Sequence, residues 1–76
     1  MVKIEMYKDD NGRLLVISQR INHSLVCELF NDGIEKRGRN GKYDMRKEFS
    51  NDASIPQILN HFDFPIDTKA YWKRWV

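Results

Sequence analysis

The chain has 76 residues, of which 41% are hydrophobic and 32% charged, and its net charge is +2. This length predicts a single domain spanning residues 1–76. A domain of this size buries only roughly 60% of the surface that its unfolded chain exposes. A deep substrate cavity of ~300 Å³ or more would be hard to build beside such a small core, which disfavours an enzyme.

The sequence also predicts a protein that stays in the cytoplasm and has no membrane partner. No apolar run approaches the ~18–20 residues that a membrane span needs. The first five residues alternate apolar and charged side chains, which does not match a signal peptide. Cys27 is the only cysteine, so no internal disulfide can form, as is typical of a reducing compartment.

The first twenty residues predict a β-hairpin. Apolar and polar residues alternate over residues 2–7 at strand period, and residues 14–17 are a second apolar run. Between them, residues 9–12 have the sequence Asp-Asp-Asn-Gly, which favours a turn because Asn and Gly tolerate positive φ.

The hairpin register depends on the length of the loop. A two-residue Asn-Gly loop would place Ile4 opposite Gln19, whereas a four-residue loop would pair Ile4 with Ile17 and Met6 with Leu15. The longer loop puts the four apolar side chains on one face of the sheet, so we predict this register.

Two further segments favour strands. Residues 24–30 fit either a strand or a short helix, and the Asn-Asp-Gly sequence at 31–33 favours the strand because it is typical of a hairpin turn. Residues 42–49 also alternate and predict a strand, with a glycine-containing basic loop at 38–41 before it.

Helices are predicted near the C-terminal end. Ser54 can cap a helix, with Gln57 completing a capping box and Pro56 in the first turn. Apolar residues then follow helical spacing until Pro65. Residues 67–76 predict a second short helix from aromatic pairs four residues apart, with a strand as the alternative.

This order of elements predicts an α+β fold. We expect a small antiparallel meander of about four strands, with one or two short C-terminal helices packed on one face.

No set of residues suggests catalysis, a metal site or a cofactor. The ligands for zinc would have to come from His23, Cys27 and His61, without a CxxC or HxxxH motif. Cys27 lies in an apolar run, where burial raises the pKa of a thiol and makes it inert. The glycines of the 38–41 loop lack the spacing of a P-loop, and the acidic residues are explained by turns and solvated strands.

Residues 34–47 are a basic segment of net charge +4, whereas the rest of the chain sums to −2. Its cations can follow a nucleic-acid backbone while Tyr43 stacks on a base. They can equally dock on an acidic protein surface, or keep a solvated sheet edge from aggregating. The cations are Lys36, Arg37, Arg39, Lys42, Arg46 and Lys47.

The tail is the second group of contact candidates. It concentrates Tyr71, Trp72, Arg74 and Trp75 within five positions, and these residue types dominate the binding energy of protein interfaces. The structural alternative is that one tryptophan closes the core of so small a domain.

The sequence therefore predicts a small non-catalytic binding protein that docks on a larger protein machine, such as one that handles nucleic acid, and modulates or inhibits it. Phage-type effectors have this size and composition, by analogy. The alternative is a domain that binds nucleic acid directly through residues 34–47. A homodimer formed through a sheet edge is a further expectation, because small domains leave edges open.

Overall fold

The computed structural model describes residues 1–32 and 43–76. In these two ranges, five strands form one antiparallel sheet in the order β4-β3-β2-β1-β5, and one short helix packs against it. The elements are β1 (Val2–Lys8), β2 (Leu14–Arg20), β3 (Leu25–Phe30), β4 (Met45–Phe49), α1 (Ile55–His61) and β5 (Trp72–Trp75). The described fold is thus mainly β with one helix, in general agreement with the predicted class.

The prediction of a second helix over residues 67–76 is wrong, and the alternative of a strand is confirmed for Trp72–Trp75, which form β5. The new strand pairs with β1, with Trp72 opposite Met6 and Trp75 opposite Lys3. An isolated helix of ten residues has little stability in water. The edge of β1, in contrast, provides backbone hydrogen-bond partners for a strand. Aromatic residues also favour strands, so the sheet gains a fifth strand.

The predicted strand over residues 24–30 is confirmed as β3, and the one over 42–49 is confirmed for Met45–Phe49 as β4. Their register pairs Leu25 with Phe49 and Leu29 with Met45. Alternate residues of β3 and β4 therefore share the face that carries α1.

The β1–β2 hairpin is confirmed, but its register is one residue away from the predicted one. Tyr7, rather than Met6, lies opposite Leu15, and the loop spans five residues from Asp9 to Arg13. Because neighbouring side chains point to opposite faces, this one-residue shift moves Met6 to the face away from Leu15. Tyr7 and Glu5 take the positions toward α1.

The main core lies between α1 and one face of the sheet. The helix contributes Ile58 and Leu59, and Phe62 and Phe64 follow it. They pack on apolar side chains of β1, β2 and β3: Tyr7, Leu15, Ile17, Leu25, Cys27 and Leu29.

The opposite face of the sheet, which we call the far face, has a smaller cluster. Leu14, Val16 and Phe30 are buried there, with Ile4 and Met6 packed beside them. Both faces of the central strands are therefore apolar, which explains the continuous apolar run of β2. The described part of the chain contains no helix long and apolar enough to cross a membrane.

The start of α1 confirms the predicted cap at Ser54 and the proline in the first turn. The Gln57 N–H donates to Ser54 Oγ at 3.2 Å, and a proline occupies the first turn. The helix ends at His61, before Pro65, since Asp63 adopts the left-handed conformation with φ 60°. Left-handed residues commonly end helices, so the proline is not the stop signal here.

Arg13 ties the β1–β2 loop to the end of α1. Its Nε donates to Asp9 Oδ2 at 2.5 Å, and its two Nη atoms donate to the carbonyls of Phe62 and Asp63 at 3.0 Å each. The guanidinium also lies 4.7 Å from the centre of the Phe64 ring. Arg13 thus supplies donors to carbonyls that the end of a helix leaves without intrahelical partners.

Replacing Asp9 tests this link through its pH dependence. Burial alone would raise the pKa of the Asp9 carboxyl, but hydrogen bonds and the charge of Arg13 hold it below its usual value. A lowered carboxyl pKa stabilises the fold above the unfolded pKa of about 3.9, and this stability is lost as the pH falls through the folded value. We expect Asp9→Asn to lower the free energy of unfolding at pH 7 by roughly 1–3 kcal/mol.

The measurement is urea unfolding of both proteins at a series of pH values from about 7 down to about 2. The stability difference between wild type and Asp9→Asn should shrink in the acid range. Asp10→Asn is the matched control, because Asp10 is exposed and should change stability by less than about 0.5 kcal/mol. If the stability difference between wild type and Asp9→Asn stays constant across the whole pH range, the negative charge of Asp9 does not contribute to its interaction with Arg13.

Candidate binding surface

The predicted contact residues that the structure describes lie at opposite edges of the sheet. One group lies on or beside β4, and the other on or beside β5, with three strands between them. They therefore do not form one surface. The first group is Tyr43, Arg46 and Lys47; the second is Tyr71, Trp72, Arg74 and Trp75. Lys36, Arg37, Arg39 and Lys42 fall outside the described residues.

The two described cations of the basic segment point to different faces. Arg46 lies opposite Glu28 on the far face, and its Nη1 is 3.2 Å from Glu48 Oε2. Lys47 lies opposite Cys27 on the face of α1, where its Nζ is 5.3 Å from the Phe49 ring centre. Arg46 and Lys47 therefore do not form one cationic track, and their placement fits charges that protect a sheet edge.

A β-bulge at the start of β5 turns two aromatic side chains to the far face. Trp72 is the register partner of Met6, and the Tyr71 N–H also donates to the Met6 carbonyl at 3.0 Å. Two residues thus oppose one, which defines a bulge. Tyr71 Oη donates to Met6 Sδ at 3.7 Å, so its ring lies on the same side as the Met6 side chain.

Each of these two rings has a cation beside it. Lys8 Nζ lies 4.9 Å from the Tyr71 ring centre, and the Arg74 guanidinium lies 5.4 Å from the Trp72 ring. We call these four residues the tail patch. Tyr71 is 48% exposed and Trp72 is half-buried. The patch therefore offers flat apolar area and positive charge together.

Trp75 lies on the other face of β5. Its register partner is Lys3, which places its indole on the side of α1, and it is 51% exposed. Neither indole is part of the buried core. The two indoles of β5 therefore lie on opposite faces of the sheet.

Glu5 is a buried carboxylate that contacts β5, and the sequence did not predict this contact. It is 7% exposed, and Lys73 Nζ lies 3.8 Å from its Oε2. Burial, together with the charge of Glu5 and a hydrogen bond to it, raises the pKa of Tyr7 to about 12. In the predicted register Glu5 belonged to the opposite, solvated face, so only the observed register reveals it.

The groups considered for catalysis differ in their exposure to solvent. Cys27 is fully buried, and burial raises the pKa of its thiol to about 12. His23 is exposed in the β2–β3 turn, and His61 lies at the end of α1 with its ring 5.4 Å from that of Phe49. Over residues 1–32 and 43–76, no three His, Cys, Asp or Glu side chains are grouped so that they could hold a metal ion.

Comparison of the chain with protein-family models, with curated proteins and with solved structures found no match.

The burial of Cys27 predicts how its thiol reacts. A reagent for thiols at about pH 8 should modify the native protein at least about a thousandfold more slowly than the urea-unfolded chain, because modification must await opening of the core. The measurement is the release of a coloured thiolate with time, with and without urea. Rapid modification of the folded protein would show that Cys27 is accessible and contradict this placement.

Proposed function

We propose that this chain is a non-catalytic binding module that docks on a larger protein and modulates it. The observation that carries the proposal is the tail patch, in which a bulge brings Tyr71 and Trp72 to one face and Lys8 and Arg74 lie against their rings. Tyrosine, tryptophan and arginine are the residues that most often dominate the energy of protein interfaces.

The patch is held in place before any partner binds. β5 is fixed at its far end by two hydrogen bonds, from the Val2 N–H to the Val76 carbonyl at 2.7 Å and back from Val76 to Val2 at 2.8 Å. At its start, the Tyr71 N–H is bound to Met6. A surface that is ordered in advance loses less conformational entropy on association, which supports a docking role.

The arrangement of the remaining chemical groups supports binding rather than catalysis. Cys27 is enclosed in the core, whereas His23 is exposed in the β2–β3 turn. A nucleophile and its base must come within hydrogen-bond reach of one another to work as a pair.

Tyr71→Ala tests the docking role. Removing an exposed hot-spot ring should weaken binding of the partner by about tenfold or more, while the melting temperature changes little, because Tyr71 lies outside the core. The partner is first captured from cell extract with the tagged wild-type chain, and its affinity for each purified variant is then measured by titration.

Tyr43→Ala is the matched control, since Tyr43 is similarly exposed at the opposite edge of the sheet. It should bind the partner as the wild type does. Equal losses in the two variants, or no loss in either, would refute docking through the tail patch.

Direct nucleic-acid binding is the second candidate function, and the same patch favours it. Aromatic rings flanked by cations on a sheet face can stack bases while the cations hold phosphates. The nucleic-acid site would then consist of Tyr71, Trp72 and the cations beside them, Lys8 and Arg74. Arg46 and Lys47 point to different faces of β4 and would not form it.

A labelled single-stranded oligonucleotide tests this candidate by fluorescence anisotropy. With two phosphate contacts, from Lys8 and Arg74, raising salt from about 50 to about 200 mM should lower the affinity by about sevenfold. Arg74→Ala should reduce this salt dependence, whereas Lys47→Ala should not. An absence of binding at the lower salt concentration would leave the protein-docking function alone.

A further inference from the structure

β5 turns part of its backbone outward. Val2 and Val76 exchange both of their hydrogen bonds, at 2.7 and 2.8 Å. In an antiparallel pair such doubly bonded positions alternate with positions whose N–H and C=O point away. Lys73 and Trp75 are the alternate positions, so their backbone groups face the outer edge of the sheet.

This edge is accessible. β5 is the last strand in the order β4-β3-β2-β1-β5, and Lys73, Arg74 and Trp75 are all exposed. The other terminal strand, β4, carries charges of both signs, including Arg46 and Glu48. Mixed charge discourages strand pairing, whereas β5 offers two cations between two indoles.

Each face of β5 presents one indole and one cation. Trp72 and Arg74 lie on the far face, and Lys73 and Trp75 lie on the face of α1. Along the strand the order is aromatic, cation, cation, aromatic. A complementary neighbour would carry apolar side chains at its two ends and acids between them.

The inner neighbour, β1, already follows half of this pattern. Met6 lies opposite Trp72, and Glu5 lies opposite Lys73 with 3.8 Å between Oε2 and Nζ. Arg74, by contrast, lies opposite Ile4 and has no carboxylate within ion-pair distance among the described residues. The cation that β1 leaves without an acid is thus available to a strand on the outer side.

The charges of β5 also argue against a second copy of this chain as that strand. Pairing β5 with itself would bring Lys73 and Arg74 of both copies together, and like charges on opposing strands are destabilising. A sheet-edge homodimer is therefore disfavoured relative to an acidic partner strand.

We propose that the β5 edge binds an extended segment of the partner by strand addition, and that this segment has the pattern apolar–acidic–acidic–apolar. Main-chain hydrogen bonds to Lys73 and Trp75 supply the attachment, and the acids opposite Lys73 and Arg74 supply the selectivity. The inference rests on the proposed docking function and specifies the chemistry of the docked segment.

A blocked synthetic peptide, Thr-Thr-Val-Glu-Glu-Val-Thr-Thr, provides the probe. Both tryptophans of the chain lie in β5, so intrinsic fluorescence reports directly on the site. We expect a saturable change with this peptide, and an affinity at least about tenfold lower when the two Glu are replaced by Lys. Equal affinity for the two peptides would overturn the proposed selectivity.

Lys73→Pro compared with Lys73→Ala tests the backbone contact. Proline removes an N–H that faces outward, so pairing with β1 is preserved, as for prolines on other sheet edges. Both variants lose the lysine charge, but only Lys73→Pro should lose a further tenfold or so in peptide affinity. If Lys73→Pro does not fold, hydrogen exchange on the wild type replaces it, since the Lys73 and Trp75 amides should become protected when the peptide binds.

The outcomes separate this inference from the function on which it rests. If Lys73→Pro binds the peptide as well as Lys73→Ala does, or the two amides stay unprotected, strand addition is wrong, although Tyr71→Ala can still show docking through the tail patch. If sedimentation shows a dimer of the chain alone that Lys73→Pro dissociates, the occupant of the edge is a second copy and the inference fails.

Discussion

The contacts of Arg13 fix the alignment on which the rest of the sheet depends. By binding Asp9 at one side and the carbonyls of Phe62 and Asp63 at the other, Arg13 becomes part of the β1–β2 loop rather than the first residue of β2. The loop then has five residues, and the register follows from its length. One side chain thus couples the hairpin to the position of α1.

The register determines which face each residue of β1 occupies. Tyr7 and Glu5 face α1, and Ile4 and Met6 face the other way. Glu5 is then buried within reach of Lys73. Met6 lies opposite the bulge, and its carbonyl accepts a hydrogen bond from the Tyr71 N–H. Lys73 is exposed and Glu5 is buried, so their contact gives the Glu5 carboxylate a cation that only β5 beside β1 supplies. The tail patch is in this sense a consequence of the loop.

Local signals in the sequence predicted local structure well. Ser54, Pro56 and Gln57 determine the start of α1 through contacts within one turn, and the strand character of β3 and the presence of the first hairpin follow from alternation and turn residues. The register could not be predicted in the same way, because Arg13 uses carbonyls about fifty residues distant in the chain. The tail was wrongly predicted as a helix because its aromatic spacing fits one. The contact that decides its structure is with the edge of β1, which is distant in the sequence.

The residues of the candidate site also fall into those that the sequence predicts and those that only strand pairing reveals. Tyr71, Trp72, Arg74 and Trp75 could be named from residue type alone, since these residues are common in interfaces. Neither Lys8 nor Glu5 could be named, because each joins the site only through strand pairing.

The two terminal strands of the sheet differ in how readily they could pair with a further strand. β4 combines Arg46, Lys47 and Glu48, so an incoming strand of either charge would meet repulsion at some position. β5 has Lys73 and Arg74 and no acid, and its indoles add apolar area on both faces. In the proposed mode of binding, such an edge would repel its own copies and attract acidic strands. Selectivity of this kind needs only the charge pattern of four residues, which a domain of 76 residues can hold without a pocket.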